Sequence, residues 1–206
     1  MRWFGGRLGL LTAISPPSRI LMPTRNRGKT MRLSASGAMQ LHTAFQALCA
    51  IRSDVSAQLI VVGTGPDESR YRQLCRSLNV SDQVHFLGWI PGSELATLRQ
   101  QSDVVAIPSL VPEMTSIVGL EAMASARAVV SSDVGALPEV IEHGKTGFIT
   151  PAGDVDRFGE YLLRLLRSPD LTYEMGRAGR RRVEREFNLR NHTAKVEDVY
   201  GRFAAA

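Results

Sequence analysis

The chain has 206 residues, 44% of them hydrophobic and 22% charged, and a formal net charge of +5. This length and composition exclude a disordered protein and fit one substantial domain, or at most two small ones. The positive charge favours anionic ligands such as nucleotide phosphates or acidic lipid. Nucleic acid is not an expected partner, because few aromatic residues lie among the basic ones and no nucleic-acid-binding motif is visible.

The cysteines and the apolar segments bear on the cellular compartment. Cys49 and Cys75 have neither metal-site spacing nor a disulfide framework, and we interpret both as buried small hydrophobic residues in a reducing compartment. No apolar run reaches the ~20 residues of a membrane span. We therefore expect a cytoplasmic protein, with residues 1–18 as an irregular N-terminal linker remnant and residues 19–206 as a single domain.

Short apolar segments alternate with helical patterns along the chain. We predict strands at 19–22, 58–62, 84–87, 104–107, 128–131 and 147–150, and a basic, irregular loop at 23–36. Helices are predicted at 37–51, 68–78, 91–102, 116–125, 137–142, 155–167, 170–185 and 189–203, with N-caps at Ser93, Ser116 and Asp154. Because the strands are apolar throughout, both faces of the sheet are expected to be covered. The pattern predicts an α/β fold, with a doubly wound parallel sheet of Rossmann-like type.

Two glutamates surround the turn that follows the strand at 104–107. Glu113 lies in the polar turn after Pro108, and Glu121 lies about one turn into the helix that Ser116 caps. Parallel sheets bind polar ligands at the carboxyl ends of their strands, where helix N–H groups suit phosphate and carboxylates suit sugar hydroxyls. Spacing alone leaves open the alternative of one loop acid and one exposed helical acid.

Two other segments look like phosphate-binding motifs. Gly63 and Gly65 follow a strand, but the third glycine of a dinucleotide fingerprint and its ribose-binding acid are missing, which favours a plain turn. The sequence Gly-Lys-Thr at 28–30 is not a P-loop, because Pro23 stands where the upstream glycine is needed. A solvated basic loop and a phosphate clamp around Lys29 both stay open.

The histidines and the basic C-terminal helix receive less specific interpretations. His85 and His143 lack metal-site spacing, and His85 is interpreted as a satisfied core histidine. The basic helical face is interpreted as solvated, and its members are Arg177, Arg180, Arg181, Arg182 and Arg185. Weak contact with an anionic membrane is the alternative, and it would locate the protein at the cytoplasmic membrane face.

The sequence around the glutamate pair resembles the C-terminal, donor-binding half of retaining GT-B glycosyltransferases, the large glycosyltransferase family 4 (glycosyl transferases group 1). The two acids with seven residues between them are similar to that family's acid pair, and four further segments agree in order and spacing: 59–66, 84–91, 122–135 and 137–147. The similarity covers residues 37–203. It implies a hexosyltransferase that needs no metal ion and no cofactor, with a UDP, GDP or ADP sugar as its donor substrate.

The resemblance also implies roles for individual residues. Glu113 would bind hydroxyls of the transferred sugar, and Glu121 would bind the nucleotide ribose. The clamp on the leaving diphosphate would come from Arg32 and Lys29. The remaining donor-site residues would act through their backbone near the diphosphate or the base: Thr115, Ser116, Ile117, Val118, Gly63, Gly65, Phe86 and Leu87.

The sequence departs from that family at several positions. Ser36 stands where relatives have the clamp lysine, and Ala126 and Ala128 stand where relatives usually have glycine and proline. The family's N-terminal acceptor-binding domain is missing from the sequence, so that domain or an equivalent chain is an expected partner, and an inactive isolated chain is compatible with this interpretation.

Two alternative functions stay open. The first is a non-catalytic module that binds a nucleotide sugar or a partner. The second is a GT-B epimerase or phosphorylase, although Lys29, Lys145 and Lys195 offer no convincing pyridoxal site for a phosphorylase.

Overall fold

A computed structural model describes residues 31–36, 41–112, 114 and 116–204. They form a parallel sheet of six strands: β1 (Met31–Ser36), β2 (Ala57–Val62), β3 (Val84–Phe86), β4 (Val104–Ile107), β5 (Ala128–Ser132) and β6 (Gly147–Thr150). The helices are α1 (His42–Ile51), α2 (Glu68–Ser77), α3 (Gly92–Gln101), α4 (Ile117–Ala124), α5 (Leu137–Val140), α6 (Val155–Arg167), α7 (Pro169–Glu186) and α8 (Leu189–Ala204).

The strand order is β3-β2-β1-β4-β5-β6, and every neighbouring pair is parallel. The chain moves outward from β1 to β3 and then returns to the other side of β1 with β4. Because such crossovers are right-handed, α1 and α2 lie on one face of the sheet, and α4 and α5 lie on the other. The predicted doubly wound α/β fold is confirmed.

The two faces of the sheet contribute to separate hydrophobic clusters. Ala106 of β4 packs in one cluster with Phe45 of α1 and Phe158 of α6. The neighbouring Val105 packs in the other cluster with Met123 of α4. Strand β4 is therefore buried on both faces, which is why its sequence is a continuous apolar run.

The prediction of an irregular loop at 23–36 was wrong for the described part of that segment. Residues 31–36 pair with β2 along their whole length, from Met31 beside Ala57 to Ser36 beside Val62, and they also pair with β4. Every second residue of β1 is polar, so the strand lacks the apolar run by which the other strands were predicted. It is nevertheless a central strand, because its backbone groups pair with strands on both sides. The strand predicted at 19–22 lies outside the described residues, as do residues 1–18. The elements from α1 to α8 are confirmed with small shifts at their ends, except that the predicted start of α1 at 37–40 lies outside the described residues.

Two of the three predicted N-caps are confirmed. Ser116 Oγ accepts a hydrogen bond from the Gly119 N–H at 3.3 Å, and the Asp154 carboxylate accepts one from the Arg157 N–H at 3.0 Å. A Cβ atom at Gly119 would lie 2.7 Å from Ser116 Oγ, so the cap requires glycine there. Ser93 was wrong, because α3 begins at Gly92 without a side-chain cap.

Helix α4 ends in a Schellman motif. The N–H of Ala126 donates to the Met123 carbonyl, and the N–H of Arg127 donates to the Ala122 carbonyl. Ala126 has φ +55°, the left-handed conformation that glycine usually adopts at this position. The alanine that departs from the family pattern therefore carries local backbone strain.

The cysteines and the last helix complete the description. Cys75 is buried, and burial raises the pKa of its thiol, whereas Cys49 is half-buried and donates to the Leu78 carbonyl at 3.4 Å. The interpretation as a buried residue is thus confirmed for Cys75 only. The side chains of α8 up to residue 203 are exposed or half-buried. Within the described ranges, no helix is both long enough and apolar enough to cross a membrane.

We expect Ala126→Gly to raise the free energy of unfolding by about 1 kcal/mol, because glycine removes the cost of a left-handed Cβ. Urea denaturation measures this change. As a control, Ala178→Gly, within α7, should lower the free energy of unfolding by about 0.5–1 kcal/mol. A loss of stability in Ala126→Gly comparable to that of the control would contradict the strain at this position.

Candidate functional site

The reversal of strand order between β1 and β4 creates a crevice at the carboxyl edge of the sheet. Helices that follow strands on the two sides of this point lie on opposite faces, which leaves space between them for a ligand. Helix α4 follows β4, so its first residues, Ile117 and Val118, lie at this edge. The first N–H groups of a helix lack intrahelical acceptors, and the helix dipole adds positive potential, so this N-terminus favours an anion.

A cavity of about 470 Å³ opens at the carboxyl ends of β2 and β3. Its volume is in the range of small-molecule sites, and most of its wall is apolar. The lining comes from the ends of β2 and β3, the turn between β2 and α2, and the start of α1 and α2: Leu41, Val61, Val62, Gly63, Thr64, Gly65, Pro66, Asp67, Glu68, Tyr71, Phe86 and Trp89.

The main chain remains paired beyond β2 and β3 and forms one side of this cavity. The N–H of Gly63 donates to the Gly88 carbonyl at 2.8 Å, and the N–H of Leu87 donates to the Val61 carbonyl at 2.9 Å. Gly63 has φ +120°, so only glycine fits there without strain. A Cβ atom at Gly65 would meet nothing within 4 Å. The predicted turn is confirmed at Gly65, whose carbonyl accepts a hydrogen bond from the Glu68 N–H at 3.2 Å, but not at Gly63, which continues the pairing of β2. Both glycines also line the cavity.

Aromatic side chains support the cavity from below and frame its opening. The Phe86 ring packs on Phe45 with centroids 6.0 Å apart, and the Arg72 guanidinium lies 4.5 Å from the centroid of the Phe86 ring. Tyr71 contacts Phe45 edge-on at 5.7 Å. Trp89 is 74% exposed although it lines the cavity, which leaves its indole available to a ligand. Sequence reasoning assigned no role to Trp89, although it directly follows a predicted strand and its closing glycine.

Glu121 is held by a buried cation. The Arg99 guanidinium, in the last turn of α3, donates a hydrogen bond from Nη2 to Glu121 Oε2. The Arg99 side chain is 7% exposed and that of Glu121 is 46% exposed. Burial lowers the pKa of Arg99, and the Glu121 carboxylate opposes that shift. Sequence reasoning missed Arg99, because an arginine on a mostly polar helix gives no signal of burial.

The predicted site residues fall into two groups. Gly63, Gly65 and Phe86 meet in the cavity, and Leu87 continues the chain beside it. The second group is on and just before α4, and it consists of Ser116, Ile117, Val118 and Glu121. None of that second group lines the cavity. Glu113, Thr115 and Lys29 lie outside the described residues.

The sequence predicted that Arg32 lies in a loop, but the structure places it in a strand. It is the second residue of β1 and pairs with Gln58, four residues before Ser36. About 13 Å of strand therefore separates its backbone from the carboxyl end of β1. The clamp role of Arg32 stays a prediction, and it requires the side chain to span much of this separation.

The histidines differ from each other in their environment. His85 Nε2 is buried and finds no hydrogen-bond partner among the residues that the structure describes, so the interpretation as a satisfied histidine is not supported. His143 Nδ1 accepts a hydrogen bond from the Ile149 N–H at 3.1 Å. Across the described ranges, no group of three or more His, Cys, Asp and Glu residues could hold a metal ion.

The basic face of α7 is partly structural. The Arg182 side chain, 17% exposed, donates to the Glu139 carbonyl and pairs with Glu186 at 3.1 Å. Arg180 donates to the Ala124 carbonyl at the end of α4. The interpretation as a solvated face was therefore wrong for these two arginines. Their contacts within the protein reduce the positive charge that this face could offer to a membrane.

The chain is similar to known proteins in both sequence and structure. It matches the family described as glycosyl transferases group 1 over residues 32–182. It is 32% identical over 187 residues to N-acetyl-alpha-D-glucosaminyl L-malate synthase of Bacillus anthracis, which covers 91% of this chain and 46% of that protein. The chain spans about half the length of the curated relatives that it matches.

Two solved structures share the fold. Anabaena HepE in complex with UDP has a TM-score of 0.77 at 20% identity, over 84% of this chain and 49% of that one. The C-terminal domain of a glycosyl transferase group 1 family protein from Francisella tularensis has a TM-score of 0.69 at 22% identity, over 79% of this chain and 88% of that one. Because the family match extends from β1 into α7 and the fold is half of a GT-B architecture, the chain belongs to the glycosyl transferases group 1, of which it has the C-terminal half.

Proposed function

We propose that this chain provides the donor site of a retaining glycosyltransferase that transfers a sugar from a nucleotide sugar to an acceptor. The observation that carries the proposal is the pairing of an apolar cavity with a capped helix N-terminus along one edge of the sheet. A nucleotide sugar has the same division, since its base is flat and mostly apolar and its diphosphate is anionic. The complex of Anabaena HepE with UDP adds support from a protein of the same fold.

The base would occupy the cavity. The paired main chain around Gly63 and Leu87 offers polar backbone groups beside apolar walls, as nucleotide base pockets require. Trp89 would stack on the base, because its indole is exposed and lies on the cavity wall. Base choice between uracil, guanine and adenine would then depend on the backbone groups and on Asp67 and Glu68.

The ribose and the diphosphate would lie nearer the crevice. Glu121 would accept hydrogen bonds from the ribose hydroxyls, and the N–H groups of Ile117 and Val118 would face the phosphates. Glu113 would bind hydroxyls of the transferred sugar. Lys29 and Arg32 remain the proposed cationic clamp, in an enzyme that uses no metal ion.

The chemistry would depend on positioning and on charge stabilisation. As the bond from the sugar to the diphosphate breaks, negative charge grows on the leaving phosphate and positive charge grows on the sugar. The helix N-terminus and the clamp would stabilise the phosphate charge. The acceptor hydroxyl, held by the other half of the enzyme, would attack the same face and give its proton to a phosphate oxygen.

A second candidate function is a binding module without turnover. It is favoured by β1, which runs without a break to Ser36 and carries Arg32 inside the strand instead of in a loop near the phosphates. Such a module would bind the nucleotide sugar through the cavity and Glu121 and leave the diphosphate weakly held.

We expect Glu121→Gln to weaken binding of the preferred nucleotide sugar by about 10- to 100-fold, because a carboxylate lost from two ribose hydroxyls removes charge-assisted hydrogen bonds. Isothermal titration calorimetry with UDP, GDP and ADP sugars measures this change. Glu160→Gln on the exposed side of α6 is the matched control and should bind normally.

Three outcomes separate the candidates in that experiment. No heat from any donor at millimolar concentration would contradict the donor site. Equal affinity of Glu121→Gln and the native chain would contradict the ribose role alone. Binding without sugar release when a matching acceptor half is supplied would favour the binding module.

We expect nucleotide binding to change the emission of Trp89, which is one of two tryptophans in the chain, the other being Trp3. Trp3→Phe should retain the full fluorescence response to the nucleotide, and Trp89→Phe should lose it. Trp89→Ala should lower affinity by about 1–3 kcal/mol, the range for stacking a base on an aromatic ring. Calorimetric binding with unchanged Trp89 emission would show that the base binds away from the cavity.

A further inference from the structure

Arg99 is a buried cation beside the proposed donor site. Its side chain contacts Glu121, the residue proposed to bind the ribose, and does not contact the expected position of the nucleotide itself. It projects from α3, a helix to which the sequence assigned no role, and it is 5% exposed overall. Its guanidinium donates to Oε2 of Glu121 on α4. Among the salt bridges of the described residues, this one joins the most deeply buried cation to its acid.

A buried guanidinium is costly unless a negative group stays beside it, because burial removes its hydration. Glu121 supplies that charge, and the desolvation that lowers the pKa of Arg99 is opposed by this carboxylate. The restraint also acts in the other direction. A half-exposed glutamate on a helix normally samples several rotamers, whereas one bound to a fixed guanidinium keeps one orientation.

The pair leaves Glu121 half available. Oε2 accepts from Arg99, and the side chain remains 46% exposed, so the carboxylate keeps acceptor capacity towards solvent. A diphosphate brings negative charge close to this carboxylate, which would repel it. The Arg99 charge compensates the carboxylate, so the site can hold an acceptor for hydroxyl groups without adding net negative charge beside the phosphates.

We propose that Arg99 is a positioning residue that fixes and neutralises Glu121 for binding ribose hydroxyls. This inference rests on the donor site proposed above and adds to it a residue that never touches the ligand. The buried ion pair also connects α3 to α4. One interaction would therefore both position the ribose-binding carboxylate and link the two helices.

The test compares a ribonucleotide with an analogue that lacks the hydroxyls. The probes are whichever of UDP, GDP and ADP binds the native chain most tightly, and its 2′,3′-dideoxy form. The affinity for the ribonucleotide divided by the affinity for the dideoxy form reports the hydroxyl contacts, because the base and the diphosphate are common to both probes. A merely structural loss would weaken both probes and leave the ratio unchanged.

We expect Arg99→Met to lower this ratio by about 5- to 20-fold and Arg99→Lys to restore part of it, because lysine returns the charge but not the planar donor group. Methionine fills a similar volume, and the half-exposed Glu121 can be hydrated, so the variant is expected to fold. The matched control is Arg52→Met, which removes an arginine at the end of α1 that donates to the Leu78 and Asn79 carbonyls just after α2. Its ratio should equal that of the native chain.

The double variant Arg99→Met with Glu121→Gln should show the same ratio as Glu121→Gln alone, because Arg99 acts through Glu121. If Glu121→Gln lowers the ratio and Arg99→Met does not, the positioning role is wrong and the ribose role stands. If Arg99→Met raises the ratio, the ion pair competes with ribose, which also overturns the inference. If Glu121→Gln leaves the ratio unchanged, the ribose role of Glu121 is contradicted, and the inference about Arg99 falls with it. If no nucleotide binds the native chain, the donor site itself is contradicted. Should Arg99→Met fail to fold, Arg99→Lys and the double variant give the same comparison.

Discussion

The right-handed crossover of parallel strands is the constraint on which the rest of the structure depends. A right-handed connection between two parallel strands places its helix on one particular face of the sheet. Whether the next strand is added on one side of β1 or on the other therefore decides which face the helix covers. The chain travels in both directions from β1, and α1 and α4 consequently diverge at the carboxyl edge. The crevice, the exposed N-terminus of α4 and the position of Glu121 follow from this reversal.

In the proposed donor site, the ion pair between Arg99 and Glu121 would link stability and binding through one contact. Replacing Glu121 by an apolar residue would leave a buried, unpaired guanidinium, a change that costs about 3–5 kcal/mol in comparable cases. A loss of binding in such a variant would therefore mix a damaged fold with a missing ligand contact. The amide of glutamine keeps an acceptor oxygen beside Arg99, which makes it the more informative replacement.

The sequence predicted those parts of the fold that local chemistry determines. Four buried residues make β4 an unbroken apolar run, and the side chains of Ser116 and Asp154 cap their helices through contacts three residues away. It failed for β1, whose alternating polar residues hide a central strand that pairing on both sides stabilises. It also failed for Arg99, because its burial and its ion pair with Glu121 of α4 are tertiary features that no local pattern indicates. The cavity was found in part, since Gly63, Gly65 and Phe86 were assigned to the site but Tyr71 and Trp89, which also line it, were not.

The cavity of the proposed donor site carries acidic side chains, whereas the diphosphate of a donor needs positive charge. Asp67 and Glu68 line the cavity, and no basic residue lines it within the part of the chain that the structure describes. The positive charge of Arg99 is already compensated by Glu121. A helix N-terminus contributes about 0.3–2 kcal/mol to binding an anion, which is too little to hold a diphosphate at useful affinity. If this half binds a nucleotide sugar tightly, most of the diphosphate affinity must therefore come from cations outside the cavity wall, and the basic segment that contains Lys29 is the part of the sequence best suited to supply them.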